Sequence, residues 1–335
     1  MTIVQRSIVA FGLALLFGLV SSSRTFAQDK IRVGLSSVSA LHGALWVAEQ
    51  KGILRKHGIE AEVIVVGGAG TTGVSALLAG DIQYVSAAGD AIVNSNLRGG
   101  DTVMIASVIN KGFQRLVVRP DIKTMAEIRG KRIAVTRVGA VSHTVLLMIL
   151  RRSGMTEKDV QIVQLGSSPY MVASLEKGGI EGAVLTSPSI FVAEDEGYRT
   201  LVDLADTDIY YLQTMLATTR SYIRANRDKT LRFVRGFVEG LVYFKQHKKE
   251  SLEVLAKKLR VSGAQERNLE RAYDLLATKY YEVPPYPSLR GVETVLGFLE
   301  KDNPKAKGAD PKSFVDDSLV REVEASGFIK GLYPH

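Results

Sequence analysis

The sequence predicts an α/β protein built as two similar lobes, with a helical C-terminal region. Three observations carry this reading. Short apolar runs alternate with helical stretches from Ile31 onward, the order expected of a mainly parallel sheet covered on both faces. Part of that order recurs later in the chain. After about residue 220 only helix-period patterning remains.

Taken in order, Ile31-Arg32-Val33-Gly34-Leu35 is a short strand, and Gly43 to Lys51 has helical spacing with Gly52 as its natural stop. Ala61 to Val66 is a second strand. A glycine-rich turn from Gly67 to Gly73 leads into a short helix ending at Gly80-Asp81, and Ile82 to Ser86 is a third strand. The stretch from Arg132 to Gly154 lines up with Ile31 to Gly52, and Leu175 to Glu181 lines up with Leu77 to Gln83, so two α/β units follow one another. Beyond them, Lys229 to His247 carries Leu231, Val234, Phe237, Val238, Leu241, Val242 and Phe244 as one core-facing helical stripe. Ser251–Leu259, Gln265–Tyr280 and Ser288–Glu300 continue the pattern, with Val283-Pro284-Pro285-Tyr286-Pro287 as a rigid loop between two of them. Asp310-Pro311 places a cap and a first-turn proline on a last helix ending near Gly327.

Composition narrows the function classes. The chain has 335 residues, 46% apolar and 23% charged, an ordinary globular mix with room for one or two domains. It contains no cysteine, which excludes disulfide scaffolds, thiol nucleophiles, thiolate zinc sites, iron–sulfur clusters and lipid attachment through an N-terminal cysteine. The formal charge is +8, but the basic excess is spread along the chain and predicts no nucleic-acid partner. Lys245-Gln246-His247-Lys248-Lys249 and Lys257-Lys258-Leu259-Arg260 have Glu250, Glu253 and Glu266 nearby and read as solvated helix faces.

Residues 1–27 read as a secretory signal peptide. Arg6 precedes the uncharged, mostly apolar stretch Ser7 to Val20, then comes the small polar run Ser21 to Ala27, with cleavage expected near Ala27. The apolar stretch is shorter than the ~20 residues a membrane-spanning helix needs. No twin arginine precedes it, which predicts export of the unfolded chain, without a preloaded cofactor, to the periplasm. Removal takes Arg6 and Arg24 and no acid, lowering the net charge by two.

Several motifs are similar to those of one known family. The run Ala48-Glu49-Gln50-Lys51-Gly52-Ile53-Leu54 through Val63 resembles a hallmark of periplasmic substrate-binding proteins of ABC importers, of the nitrate/sulfonate/taurine type related to the thiamine-pyrimidine proteins. Gly67-Gly68-Ala69-Gly70-Thr71-Thr72, followed by Ala76 to Ile82, matches its second signature. Ile128 to Val135 matches the opening of its second lobe, and Ala183 to Pro188 and Phe314-Val315-Asp316 also resemble family positions. The likeness covers roughly residues 30–330. It implies a two-lobe periplasmic-binding-protein fold, type II-like, with the lobes joined by two hinge strands. Residues 28–117 plus 219–335 would form lobe 1 and residues 118–218 lobe 2, with crossings near Leu116-Val117-Val118 and Met215-Leu216-Ala217-Thr218. It implies a monomer with no catalysis and no cofactor, holding a small ligand between its lobes. The partners implied are the permease subunits, and the membrane complex would be touched only peripherally.

Ligands of open α/β sheets sit beyond the carboxyl ends of strands, in the loops that follow. Four such loops are expected to share one cleft. Ser36, Ser37, Ser39 and His42 lie on the first, and Gly68, Gly70, Thr71 and Thr72 on the second. Arg137, Ser142, His143 and Thr144 lie on the third, and Gly166 to Tyr170 form the fourth. Ala88 and Asp90 end the third strand, with Ser187 as their counterpart in the second lobe. Each loop precedes a helix, so free N–H groups and positive helix ends converge and favour an anionic ligand, sulfonate-, nitrate- or organic-acid-like. Arg137 adds a candidate bidentate contact. Other roles stay open: the Ser and Thr residues serve equally as helix caps, the two histidines as partners of local backbone, Asp90 as a cap, and Arg137 as a solvated or inter-lobe charge.

One enzymatic alternative has a motif behind it. Gly68-Ala69-Gly70-Thr71-Thr72-Gly73 is a literal G-x-G-x-x-G between a strand and a helix, which would suit a secreted NAD(P)-dependent oxidoreductase. It follows the second strand rather than the first, and Gly166-Ser167-Ser168-Pro169 drops the glycines at the repeated position. No G-x-S-x-G or H-E-x-x-H sequence supports a hydrolase.

Overall fold

The computed structural model describes residues 28–66, 69–263, 265–300 and 303–333. The expected signal peptide, Gly67 and Gly68 lie outside the described residues. Three strand–helix steps open the chain: β1 (Asp29–Leu35) with α1 (Gly43–Gln50) and the short α2 (Ile53–Lys56), β2 (Ile59–Val65) with α3 (Ala69–Ala79), and β3 (Tyr84–Ala87) with α4 (Gly89–Leu97). The long β4 (Thr102–Lys111) leads into β5 (Arg115–Val118). The second set is β6 (Arg132–Val135) with α5 (Val141–Arg152), β7 (Gln161–Gln164) with α6 (Ser168–Glu176), and β8 (Gly182–Leu185) with α7 (Ser189–Asp195). After β9 (Arg199–Asp203) and β10 (Tyr210–Thr219) come α8 (Arg220–Ala225), α9 (Arg227–Gln246), α10 (Lys248–Leu259) and α11 (Gln265–Leu275), which continues as a π-helical turn over Leu276–Tyr280. The chain ends with α12 (Leu289–Leu299), α13 (Ser318–Ala325) and α14 (Phe328–Gly331).

Two five-stranded sheets share one plan, with orders β2-β1-β3-β10-β4 and β7-β6-β8-β5-β9. In each, three parallel strands are followed by a strand antiparallel to the third. That fourth strand is contributed by the chain arriving from the other unit. Val33 lies opposite Tyr84 as Ile133 lies opposite Gly182, so the repeat in the sequence is a structural repeat.

Strand pairing moves both crossings away from their expected places. β5 pairs along its length with β8 and β9, so Leu116 to Val118 belong to the second sheet. β10 pairs with β3 and β4, so Met215 to Thr218 lie deep in the first sheet. The chain crosses instead at residues 112–114 and 204–209. The reason is burial: Tyr211 to Thr218 and Leu116 to Val118 are enclosed on both faces, as central strands of two-faced sheets are. The crossing segments are where glycine and acids appear, Gly112 in one and Asp206 and Asp208 in the other.

The glycine-rich turn also differs from expectation. Helix α3 starts at Ala69, so Gly70, Thr71, Thr72 and Gly73 lie within its first turns. A Cβ at Gly70 would stand 2.9 Å from Ala91 Cβ, and one at Gly73 2.8 Å from Val85 Cγ2. These glycines let α3 lie close on β3 and α4, a packing role.

The apolar stripe of α9 is buried as its spacing predicts. Phe233, Phe237, Leu241 and Phe244 join Leu45, Val47 and Ala48 of α1 in the main core of the first sheet. Near the end of the chain, Asp310 Oδ1 accepts from Lys312 N at 3.0 Å and caps a 3-10 turn, Pro311–Phe314. The expected last helix is therefore divided, with its longer part starting only at Ser318.

Candidate ligand-binding site

The two crossing segments lie side by side. Leu204 N donates to Gln114 O at 3.1 Å, Gly112 is tucked against Leu204, and Gln114 Nε2 donates to Gln213 Oε1 at 3.2 Å. Beside them sits a network of alternating charges. Arg115 donates from Nη1 to Glu194 Oε1 at 2.8 Å and from Nε to Asp203 Oδ2 at 3.0 Å. Arg271 of α11 donates to Glu194 and Asp195 of α7, and its guanidinium lies 4.3 Å from the centre of the Phe191 ring. Lys279 Nζ reaches Asp203 at 3.0 Å and Asp206 at 2.7 Å. The C-terminal helical region is thus fastened to the second unit. A second contact lies at α5 and α12, where the Arg151 guanidinium stands 5.0 Å from the Phe298 ring and Met148 enters the core formed by Leu212 and Val292.

Beside the charge network at Arg115 lies a cavity of about 460 Å³. Val38, Ser39, Ala40 and Leu41 wall it from the first unit, and Ser187, Pro188, Ile190 and Val192 from the second. Phe113 and Arg115 close it at one crossing. Leu259, Leu269, Ala272, Leu276 and Tyr280, from α10, α11 and the π turn, cover the remaining side. It follows β1 and β8, beyond strand ends as α/β sites do.

Of the residues expected at the cleft, Ser39 and Ser187 line this cavity. Ser39 also caps a short 3-10 turn, its Oγ accepting from Leu41 N at 3.4 Å. Ser36 is half-buried and donates its backbone N–H to Ser86 O, while Ser37 is exposed. His42 is enclosed, with Nδ1 3.0 Å from Ser86 Oγ. Thr71 and Thr72 are exposed on α3, and Gly68 is outside the described residues. Ala88 is the residue before α4, and Asp90 Oδ1 accepts from Ala91 N at 2.8 Å in that helix's first turn. Burial raises the Asp90 carboxyl above its ordinary range. Arg137 is exposed and outside the cavity lining. Ser142 Oγ accepts from Thr136 N at 2.9 Å, His143 Nδ1 accepts from Gly139 N at 3.1 Å, and Thr144 donates its backbone N–H to Ala140 O. These bonds order the turn into α5. The helical wall from Leu259 to Tyr280 was not among the expected contacts; its signal in the sequence was ordinary amphipathic spacing.

Burial pulls the His42 imidazole from its ordinary 6.5 to about 4. The unfolded chain takes up a proton near 6.5 while the folded chain resists until about 4. The stabilisation is therefore complete above pH 6.5 and is lost as pH falls from 6.5 to 4. This one group is expected to remove about 3 kcal/mol over that window. Urea unfolding at pH 7 and pH 4 checks it: His42→Asn should show a shallower acid dependence than the parent chain, and equal slopes would remove His42 as the cause.

Two similar α/β units with a cavity between them, beside paired crossings, define a bilobal binding-protein fold. The chain belongs to the NMT1/THI5-like family, whose profile matches residues 39–251. The periplasmic aliphatic sulphonate binding protein SsuA of Escherichia coli has the same fold, with a TM-score of 0.70 at 19% identity over 86% of this chain and 92% of that one. A protein of Brucella abortus (strain 2308), described as a candidate binding protein, is 26% identical over 79% of this chain and 81% of its own length. The taurine-binding periplasmic protein of Escherichia coli (strain K12) is 30% identical over 40% of this chain and 41% of its own length. Among the described residues, no helix is long and apolar enough to cross a membrane.

Proposed function

We propose that this chain is the periplasmic solute-binding component of an ABC importer. It captures a small molecule between two lobes and delivers it to the membrane permease, without chemistry of its own. The observation that supports this best is the cavity walled by Val38–Leu41 from one unit and Ser187–Val192 from the other, beside both crossings. A ligand there touches both lobes only when they are together, so its binding energy favours the closed arrangement. In this reading the lobes move as units hinged at residues 112–114 and 204–209, the mature chain is a monomer, and residues 1–27 direct it to the periplasm and are removed. The names of its relatives, taurine- and sulphonate-binding proteins, fit that role.

Two observations favour a carrier over an enzyme. His42 and Ser86 are hydrogen-bonded to each other but expose only 1% and 0%, sealed from any substrate, and His143 is occupied by Gly139 N. Gly70 and Gly73 are filled against Ala91 and Val85, which suits helix packing rather than a pyrophosphate.

The test is a melting screen of the purified mature chain against organic anions, amides, alcohols and NAD(H), with solution scattering on every hit. A ligand at a hundred times its Kd should stabilise the chain by about 2.7 kcal/mol, and the radius of gyration should fall. A melting shift with NAD(H) alone would overturn the proposal in favour of the oxidoreductase.

A further inference from the structure

We infer that the inter-lobe cavity selects an uncharged organic molecule with a bulky apolar body and one hydrogen-bonding head, such as an aryl or branched-alkyl amide, alcohol or ketone. The inference rests on the carrier reading above and specifies its ligand. Most of the wall is hydrocarbon, including Leu41, Phe113, Ile190, Leu269 and Leu276. At about 460 Å³ the space falls within the range of sites that enclose a drug-sized molecule. Such walls reward a large apolar body and offer little to a compact ion.

Charge points the same way. The cation among the lining residues is Arg115, and it is committed on two sides. Its Nη1 lies 2.8 Å from Glu194 and its Nε 3.0 Å from Asp203, with only 11% of its side chain exposed. Turning it toward a ligand anion would strip these two carboxylates of a partner. An anion left in the cavity without a free cation would be desolvated and uncompensated, which is costly.

Neutral polar groups are at hand instead. Asn268 lines the cavity, and its Oδ1 is buried with no hydrogen-bond partner among the described residues. Rotation of the carboxamide offers a ligand either its oxygen or its NH2 group. Ser39 keeps its hydroxyl proton, since its Oγ only accepts from Leu41 N. A neutral head that both donates and accepts, such as a carboxamide, matches this set.

The experiment is calorimetric titration of the mature chain with 4-isopropylbenzamide, 4-isopropylbenzenesulfonate and taurine, repeated on Asn268→Leu and Ala272→Trp. The benzamide should bind at least about ten-fold tighter than the matched sulfonate, and taurine should give no heat. Asn268→Leu should weaken the benzamide by up to about ten-fold, the effect of one lost hydrogen bond. Ala272→Trp fills the cavity and should abolish binding; if that chain does not fold, the Asn268 result stands in its place. Tighter binding of the sulfonate or of taurine would overturn the ligand class while leaving the carrier reading intact. Silence of all three compounds would also overturn the class. Silence of the whole melting screen, or a shift with NAD(H) alone, would remove the carrier reading with it.

Discussion

Arg115→Met should lower the stability of the folded chain by about 3–5 kcal/mol, the range seen when one partner of a buried ion pair is removed. Arg115 and Asp203 expose only 11% and 9% of their side chains, so neither is well screened by water. Without the guanidinium, Glu194 keeps Arg271 and Thr200, Asp203 keeps Lys279 and the Ala205 N–H, and the two carboxylates repel each other. Methionine occupies much of the arginine stem's volume, so the loss reads the charge rather than a cavity. Urea unfolding at pH 7 measures it, and adding Asp203→Asn and Glu194→Gln should recover part of the stability. A loss below about 1 kcal/mol would show that the pair behaves as an exposed one.

Gly240→Val should cost about 3 kcal/mol, at the upper end for overpacking a close contact. Helix α9 crosses α1 so closely that a Cβ at Gly240 would lie 2.6 Å from Ala48 Cβ and 3.0 Å from Ala44 O. The second of these is backbone and cannot rotate away. Gly240→Ala provides the sharper test. In an exposed helix, alanine gains about 1 kcal/mol over glycine, so propensity predicts a higher melting temperature and packing predicts a lower one. We expect it to fall; a rise would mean that α1 and α9 separate readily.

Much of the architecture was readable from local pattern. Alternation of short apolar runs with helical spacing placed β1, β2, β3 and their helices within a few residues. The stripe from Leu231 to Phe244 announced the helix on which the first core is built, and all of it but Leu231 is enclosed. The likeness of Arg132–Gly154 to Ile31–Gly52 foretold two sheets of one plan. Errors arose where a neighbour far along the chain decides the outcome. Tyr211 to Thr218 reads the same whether it crosses between lobes or sits between β3 and β4; only its partners distinguish the two. Gly70 and Gly73 read as a turn before a helix, and only Ala91 and Val85 against them show that they pack within it.

The cavity between the two units shows the same division. Ser39 and Ser187 were accessible to reasoning because strand ends and helix starts are written in adjacent residues. Asn268 and the wall from Leu259 to Tyr280 were not, since an amphipathic helix discloses that it has a buried face and not what that face meets. Nor could a lone arginine in the sequence reveal whether its charge is free. Arg137 and Arg115 are alike as letters, yet one is exposed and the other is held between Glu194 and Asp203. Periodicity and turn chemistry are properties of neighbouring residues, so the amino-acid order settles the class, the repeat and the elements. Charge compensation and cavity shape are sums over residues brought together from distant parts of the chain, so they exist only once it has folded.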